Sequence, residues 1–136
     1  MSIFSRMFPP RPSLDEAFKD CKTPKEVCAV VRKWVRPCEM FGDIPEWPHE
    51  TWTRGYGDCD DIAHLVRFAC YINGIQSDVF YYWPMYRAKP GHALVVGNFN
   101  GVAWVADNSK YIETDDPHTV AKKALNCLSV WSRRMT

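Results

Sequence analysis

The sequence has no run of apolar residues long enough to cross a bilayer. Its opening, MSIFSRMFPPRPS, holds no apolar stretch of roughly 7–15 residues before a small-residue cleavage site. These two absences set the expectation of a cytoplasmic chain with no membrane partner. An excess of one charge is also missing: 17 Lys and Arg against 16 Asp and Glu leave a formal net charge of +1. That removes the basic footprint that would make nucleic acid the default partner. Cys-x-x-Cys pairs are absent although there are six cysteines, Cys21, Cys28, Cys38, Cys59, Cys70 and Cys127. Without such spacing a structural zinc has no ligand set, and without a secretory signal a disulfide framework has no compartment to form in. Free thiols, no metal and no cofactor are therefore expected. Repeats and low-complexity segments are lacking as well.

What is present is apolar. Hydrophobic residues make up 46% of the 136 positions and aromatics 14%, which excludes a disordered chain and fits one domain. Residues 1–12 read as a Pro-rich N-terminal arm and 13–136 as a single domain. Ser13 with Glu16, and Thr23 with Glu26, are capping-box patterns. They predict a short helix from Leu14 to about Cys21 and a second helix after Thr23 with the stripe Val27, Val30, Val31, Trp34 and Val35, ended by Pro37. Gly42, Pro45 and Pro48 make Glu39 to Gly57 read as an irregular, Trp-bearing loop. Ile75 to Trp83 reads as a strand, and HALVVGN and GVAWVAD as two more around an Asn-Gly turn signal. Lys110 to Glu113 adds an edge strand. Asp116-Pro117 opens a last helix with the stripe Val120, Ala124, Leu125, Leu128 and Trp131. Helices, then strands, then a helix predict an α+β domain with helices on an antiparallel sheet.

Between the loop and the first strand lies GYGDCDDIAHLVRFACYINGI, Gly55 to Ile75. Asp58 reads as an N-cap, Asp61 as the third helical residue, and Gly74 as a left-handed stop. The helix therefore begins at a thiol. Unpaired N–H groups at a helix start carry partial positive charge, which favours a thiolate and can also hold an oxyanion. Three, four, seven and ten positions beyond Cys59 stand Ile62, Ala63, Val66 and Ala69, so Cys59 sits at the open end of the buried face. Asp58, Asp60 and Asp61 could suggest a metal site, but one helix start accounts for them as cap and dipole partners.

A reactive thiol needs a base, and the base an orienting group. Of the four histidines, His64 lies about 140° round the helix from Cys59. His118 falls in the first turn of the last helix and is expected to be solvated, and His49 lies in the loop. His92 heads a strand. If Asn98 to Gly101 is a four-residue loop, Gly97 pairs with Val102 and His92 stands directly opposite Asp107. A two-residue Asn100-Gly101 turn shifts that pairing by two. An aspartate beside an imidazole fixes its tautomer and stabilises the imidazolium.

GDCDDIAHLVRFACYINGI, then HALVV, then a strand ending in Asp, resembles the transglutaminase-like superfamily of cysteine enzymes, as does the lead-in PHETWTRG. The resemblance spans roughly Pro45 to Asp107. It implies a papain-like core with the nucleophile helix packed on an antiparallel sheet, Cys59 as nucleophile, His92 as general base and acid, and Asp107 as orienter. The chain is close to that core alone, with no room for the accessory β domains and calcium sites of animal crosslinking members. The expected function is a cysteine-dependent amide hydrolase of the peptidase or isopeptidase kind, acting on a protein or peptide through a thioester. The alternatives are transglutaminase-type transfer to an amine, or an inactive binding module of the same fold. Trp47, His49 and Trp52 are candidate oxyanion donors beside the Cys59 N–H. The other five cysteines are expected to be inert small hydrophobes. Tyr81, Tyr82, Trp83 and Tyr86 are expected to be strand and core packing.

Overall fold

Two side-chain caps open the helical half of the chain. Ser13 Oγ accepts from the Glu16 N–H at 3.2 Å and Thr23 Oγ1 from the Glu26 N–H at 3.1 Å. The structure, a computed structural model, describes residues 10–38, 47–86 and 90–136. The first nine residues of the expected arm and the segment 39–46 of the expected loop lie outside the described residues. Helix α1 (Leu14–Phe18) is shorter than its cap suggested, and α2 (Pro24–Trp34) runs as expected. Val35 is already extended, and Arg36–Pro37 forms a short strand, β1.

The expected loop contains a helix, α3 (Pro48–Arg54), entered from Trp47 and stopped by Gly55 at φ +80°. Pro48 is its first residue, where a missing N–H costs nothing, so the proline starts a helix rather than breaking one. Strand β2 (Tyr56–Gly57) pairs in parallel with β1. Helix α4 (Cys59–Ile72) follows, and Gly74 takes φ +72° as its stop. Among the described residues no helix is long and apolar enough to cross a membrane.

The main sheet contains β3 (Ser77–Pro84), β4 (His92–Phe99), β5 (Val102–Asp107), β6 (Lys110–Glu113) and β7 (Val130–Arg134). Its order is β6-β5-β4-β3-β7, antiparallel throughout. Helix α4 lies over β4, β3 and β5. The core on that side joins Val27, Val31, Ile62 and Val66 to Val79, Ala93, Val95 and Trp104. Alternate residues Tyr82, Leu94 and Val105 point the other way and meet Ala121 of α5 (Pro117–Leu125). Burial of both faces is why the central strands read as the near-continuous apolar runs ALVV and AWVA.

The last helix differs from its expected stripe. Asn126 turns left-handed at φ 50° and ends α5 at Leu125. Leu128 is then 96% exposed, and Trp131 joins strand β7 instead of a helical face. The hairpin takes the shorter of its two expected turns. Asn100 (φ 51°) and Gly101 (φ 82°) form a two-residue turn, so Phe99 pairs with Val102 and Leu94 with Asp107. Two positive-φ residues match the right-handed twist of the flanking strands, which a four-residue loop would not require.

Candidate active site

Cys59 is the first residue of α4, and its position is set by what surrounds the helix start. Asp58 Oδ1 accepts from the Asp61 N–H at 2.9 Å, and Asp61 Oδ2 accepts from the Asp58 N–H at 3.2 Å, closing a capping box. Asp61 is buried, and Arg54 Nη2 reaches the same Oδ2 at 3.4 Å. The Arg54 Nε donates to the Tyr56 carbonyl at 2.9 Å. Gly57 admits no side chain, since a Cβ there would stand 2.8 Å from the Asp61 Cβ. Helix start, β2 and the end of α3 are thus tied together around one buried carboxylate. Burial pushes the Asp58 carboxyl above its ordinary pKa; the Asp61 N–H bond opposes this, and the Asp61 and Asp60 charges add to it.

The acidic triplet Asp58, Asp60 and Asp61 is accounted for locally. Asp58 caps, Asp61 closes the box, and Asp60 faces His64 at 3.3 Å, one turn on. Among the described residues no group of three or more His, Cys, Asp or Glu side chains comes together to hold a metal ion.

Beyond Cys59, Ile62, Ala63, Val66 and Ala69 are all buried, as the spacing predicts, and Cys59 packs half-buried at the edge of that core. His92 begins β4, and its Nε2 lies 2.6 Å from Oδ1 of Asp107, the last residue of β5. Direct opposition of the two is not what brings them together. Leu94 is the partner of Asp107, and Tyr82 the partner of His92 on β3. The register is displaced by two from the one expected for a four-residue loop. A shift of two keeps every side chain on its face, so His92 and Asp107 become diagonal neighbours and their side chains close the remaining gap.

The Cys59 thiol lies near enough to the imidazole to hydrogen-bond with it and to raise its proton affinity. Burial, the largest influence on His92, disfavours the imidazolium. The hydrogen bonds to Asp107 and Cys59 and the charges of both outweigh it, and the imidazole is raised from 6.5 to about 9. Nε2 is taken by Asp107, which leaves Nδ1 for the thiol. The arrangement favours an imidazolium poised between a carboxylate and a sulfur.

The remaining sequence candidates lie elsewhere. Trp52 is buried against Phe18 and Trp34, and its indole N–H donates to the Pro12 carbonyl at 2.9 Å. His49 meets the Phe68 ring edge-on at 5.5 Å, nine residues along α4 from Cys59, or about 13 Å of helix. Trp47 is 75% exposed. The Cys59 N–H is left out of the capping box and remains a donor at the helix start. His118 is exposed and sets its ring edge against Tyr82 at 5.3 Å. None of the six cysteines is in a disulfide; Cys21, Cys28 and Cys70 are buried, and burial pushes all three thiols up, Cys70 to about 12. Arg11 was not singled out by the sequence. Its guanidinium covers the rings of Trp34 and Trp52 and donates to the Trp34 carbonyl at 2.8 Å, which fastens the end of the arm to the helices.

No protein-family model matches the chain, and no curated protein matches it. Solved structures do. Calcium-bound LapG of Legionella pneumophila is similar at 14% identity and a TM-score of 0.58, over 82% of this chain and 73% of that one. EGTA-treated LapG is similar at 16% identity and 0.57, over 74% of this chain and 63% of that one. A proposed cysteine protease from Cytophaga hutchinsonii is similar at 16% identity and 0.56, over 98% of this chain but only 53% of that one. The chain thus spans less than two thirds of two of these three structures. At these identities the likeness is one of fold: helices packed on a five-stranded antiparallel sheet.

Proposed function

We propose that the chain is a cysteine-dependent amide hydrolase acting on a protein or peptide. The observation that carries this reading is the convergence of three elements on one imidazole: α4 brings Cys59, β4 brings His92 and β5 brings Asp107, with 2.6 Å between Nε2 and Oδ1. The fold shared with LapG and the Cytophaga protein supports it. In the proposed reaction Cys59 Sγ attacks the amide carbonyl carbon. The carbonyl oxygen takes the negative charge and is held by the Cys59 N–H at the helix start. His92 gives its proton to the departing amine nitrogen, the C–N bond breaks, and a thioester remains. The neutral imidazole then takes a proton from water as its oxygen attacks the thioester. Collapse expels the Cys59 sulfur as thiolate and releases the carboxylic acid, which ionises by giving its proton to the freed amine, and the thiolate–imidazolium pair is restored. Asp107 holds the ring and stabilises its charged form throughout. Water as acceptor needs no second binding site; an amine in its place would make the same thioester a transamidation intermediate.

The test is site-resolved alkylation of Cys59 by iodoacetamide across pH, read by mass spectrometry in the wild type and in His92→Ala. Rapid reaction below pH 7 that slows at least tenfold in His92→Ala is the expected result. Reaction only above about pH 8 in both proteins, as for an unperturbed thiol, would overturn the reading.

A further inference from the structure

On the sheet face that α4 covers, a strip of aromatic rings runs from the candidate site to open surface. Tyr81 and Trp83 are two apart on β3 and therefore share that face, where Tyr81 packs against the helix-side core. Their ring centroids are 4.6 Å apart. Trp131 of β7 stands directly opposite Trp83, and the two rings stack at 4.2 Å and 19°. At its inner end the strip reaches the head of β4 and packs on the same core as Cys59. The Tyr81 ring occupies the space a side chain at Gly91 would need, and Gly91 immediately precedes His92. At its outer end Trp131 is 50% exposed. Arg133, paired with Tyr81 across the strands, is exposed beside it. Helix α5 covers the opposite face of β3, β4 and β7. A strip serving only the core would be covered to its end; this one leads from the head of β4 to the sheet edge and ends next to a cation.

We propose that Tyr81, Trp83 and Trp131 form a subsite for the acyl-donor polypeptide, holding an apolar side chain about three residues from the scissile amide, with Arg133 favouring an acidic residue next to it. The subsite rests on the amide chemistry proposed for Cys59. The spacing follows from the sheet. Neighbouring strands are about 4.8 Å apart, so β7 lies about 10 Å from β4, and an extended chain crossing the strands advances about 3.3 Å per residue. Stacked indoles accept aromatic and aliphatic side chains on their faces. A sugar ring could use the same faces, but a neutral sugar has no use for Arg133 and presents no peptide bond to the thiol.

The subsite can be read without turnover. The immobilised Cys59→Ala chain is used to select from a displayed random heptapeptide library. Peptides carrying Phe, Tyr, Trp or Leu beside Asp or Glu are expected. The best of them should bind about tenfold more weakly to Cys59→Ala/Trp131→Ala. Selection on Cys59→Ala/Arg133→Glu should exchange the acidic preference for a basic one, and because Arg133 is exposed that variant reads the strip with the sheet intact. Failure to enrich any peptide would overturn the proposal, as would unchanged affinity and charge preference in both variants. So would tryptophan quenching by chitohexaose but not by peptide. Failure of the chemistry looks different. Trp131-dependent peptides together with a Cys59 that alkylates like a model thiol would overturn the hydrolase and leave a peptide site. An activated Cys59 with no selected peptides would overturn the subsite alone.

Discussion

Asp107→Asn keeps the size of the side chain and removes its charge, and its effect should appear first in His92. The imidazole's rise to about 9 is a net result: burial lowers the proton affinity, while the hydrogen bonds and charges of Asp107 and Cys59 raise it. Replacing the carboxylate deletes two of those four raising influences and leaves the burial. His92 should then titrate below 9, toward its ordinary 6.5. At 1.36 kcal/mol per pH unit, the proton would be held less tightly by up to about 3 kcal/mol. The same change has a sign in stability. A histidine whose folded pKa exceeds its unfolded one stabilises the fold fully below about pH 6.5 and loses that contribution as pH rises to about 9. The wild type should therefore lose up to about 3 kcal/mol of unfolding free energy across that window relative to Asp107→Asn. Histidine ring NMR, with the His92 signal identified by its loss in His92→Gln, gives the titration. Urea unfolding at pH 6.5 and 9 gives the stability difference. An Asp107→Asn protein whose His92 still titrates near 9, with an unchanged stability difference, would refute the argument that the carboxylate holds the proton.

Activity against any cleaved peptide should vanish in Cys59→Ala and fall by about 10²–10⁴ in His92→Ala, measured as kcat/KM. Cys28 and Cys70 are fully buried with their thiols pushed up, so iodoacetamide at pH 8 should modify them only in urea, whereas exposed Cys38 reacts in the native protein. Asp58→Ala removes the acceptor for the Asp61 N–H and should cost about 1 kcal/mol in chemical denaturation. Gly91→Ala forces the Tyr81 ring or the Tyr82 carbonyl to move and should destabilise the chain by about 1–3 kcal/mol; an unchanged melting temperature would show that the contact yields freely.

The parts of the site that could be read from sequence are those with local or parity-based causes. The start of α4 needs only a cap, a third-position acid and an apolar period, all within a dozen residues. The pairing of His92 with Asp107 does not depend on the choice of turn, because both candidate turns place the two on one face. The register itself carried a legible signal. Gly97 pairs with Trp104, and a Cβ at Gly97 would stand 2.7 Å from the indole, so the largest side chain of β5 lies over the one residue of β4 without any. Helix α3 was hidden because Pro48 reads equally as a breaker and as a first helical residue. Strand β7 was mistaken for helix because Leu125, Leu128 and Trp131 continue a helical spacing that a left-handed Asn126 interrupts. The aromatic strip could not be seen at all, since Trp83 and Trp131 meet only once β7 folds back against β3.

The two-residue pairing of β1 with β2 has a consequence for how such a chain can vary. Arg36 donates to the Gly55 carbonyl at 3.0 Å and Cys38 to the Gly57 carbonyl at 2.8 Å. The excursion between them is therefore closed at its base, one residue before the cap of α4. Extra residues placed between Cys38 and Trp47 would lengthen a segment whose ends are already fixed, and each doubling of a closed segment's length costs only about 0.6 kcal/mol. The clamp isolates the thiol from changes in the neighbouring segment. It marks a point where relatives of different length could gain or lose sequence while the helix start stays in place.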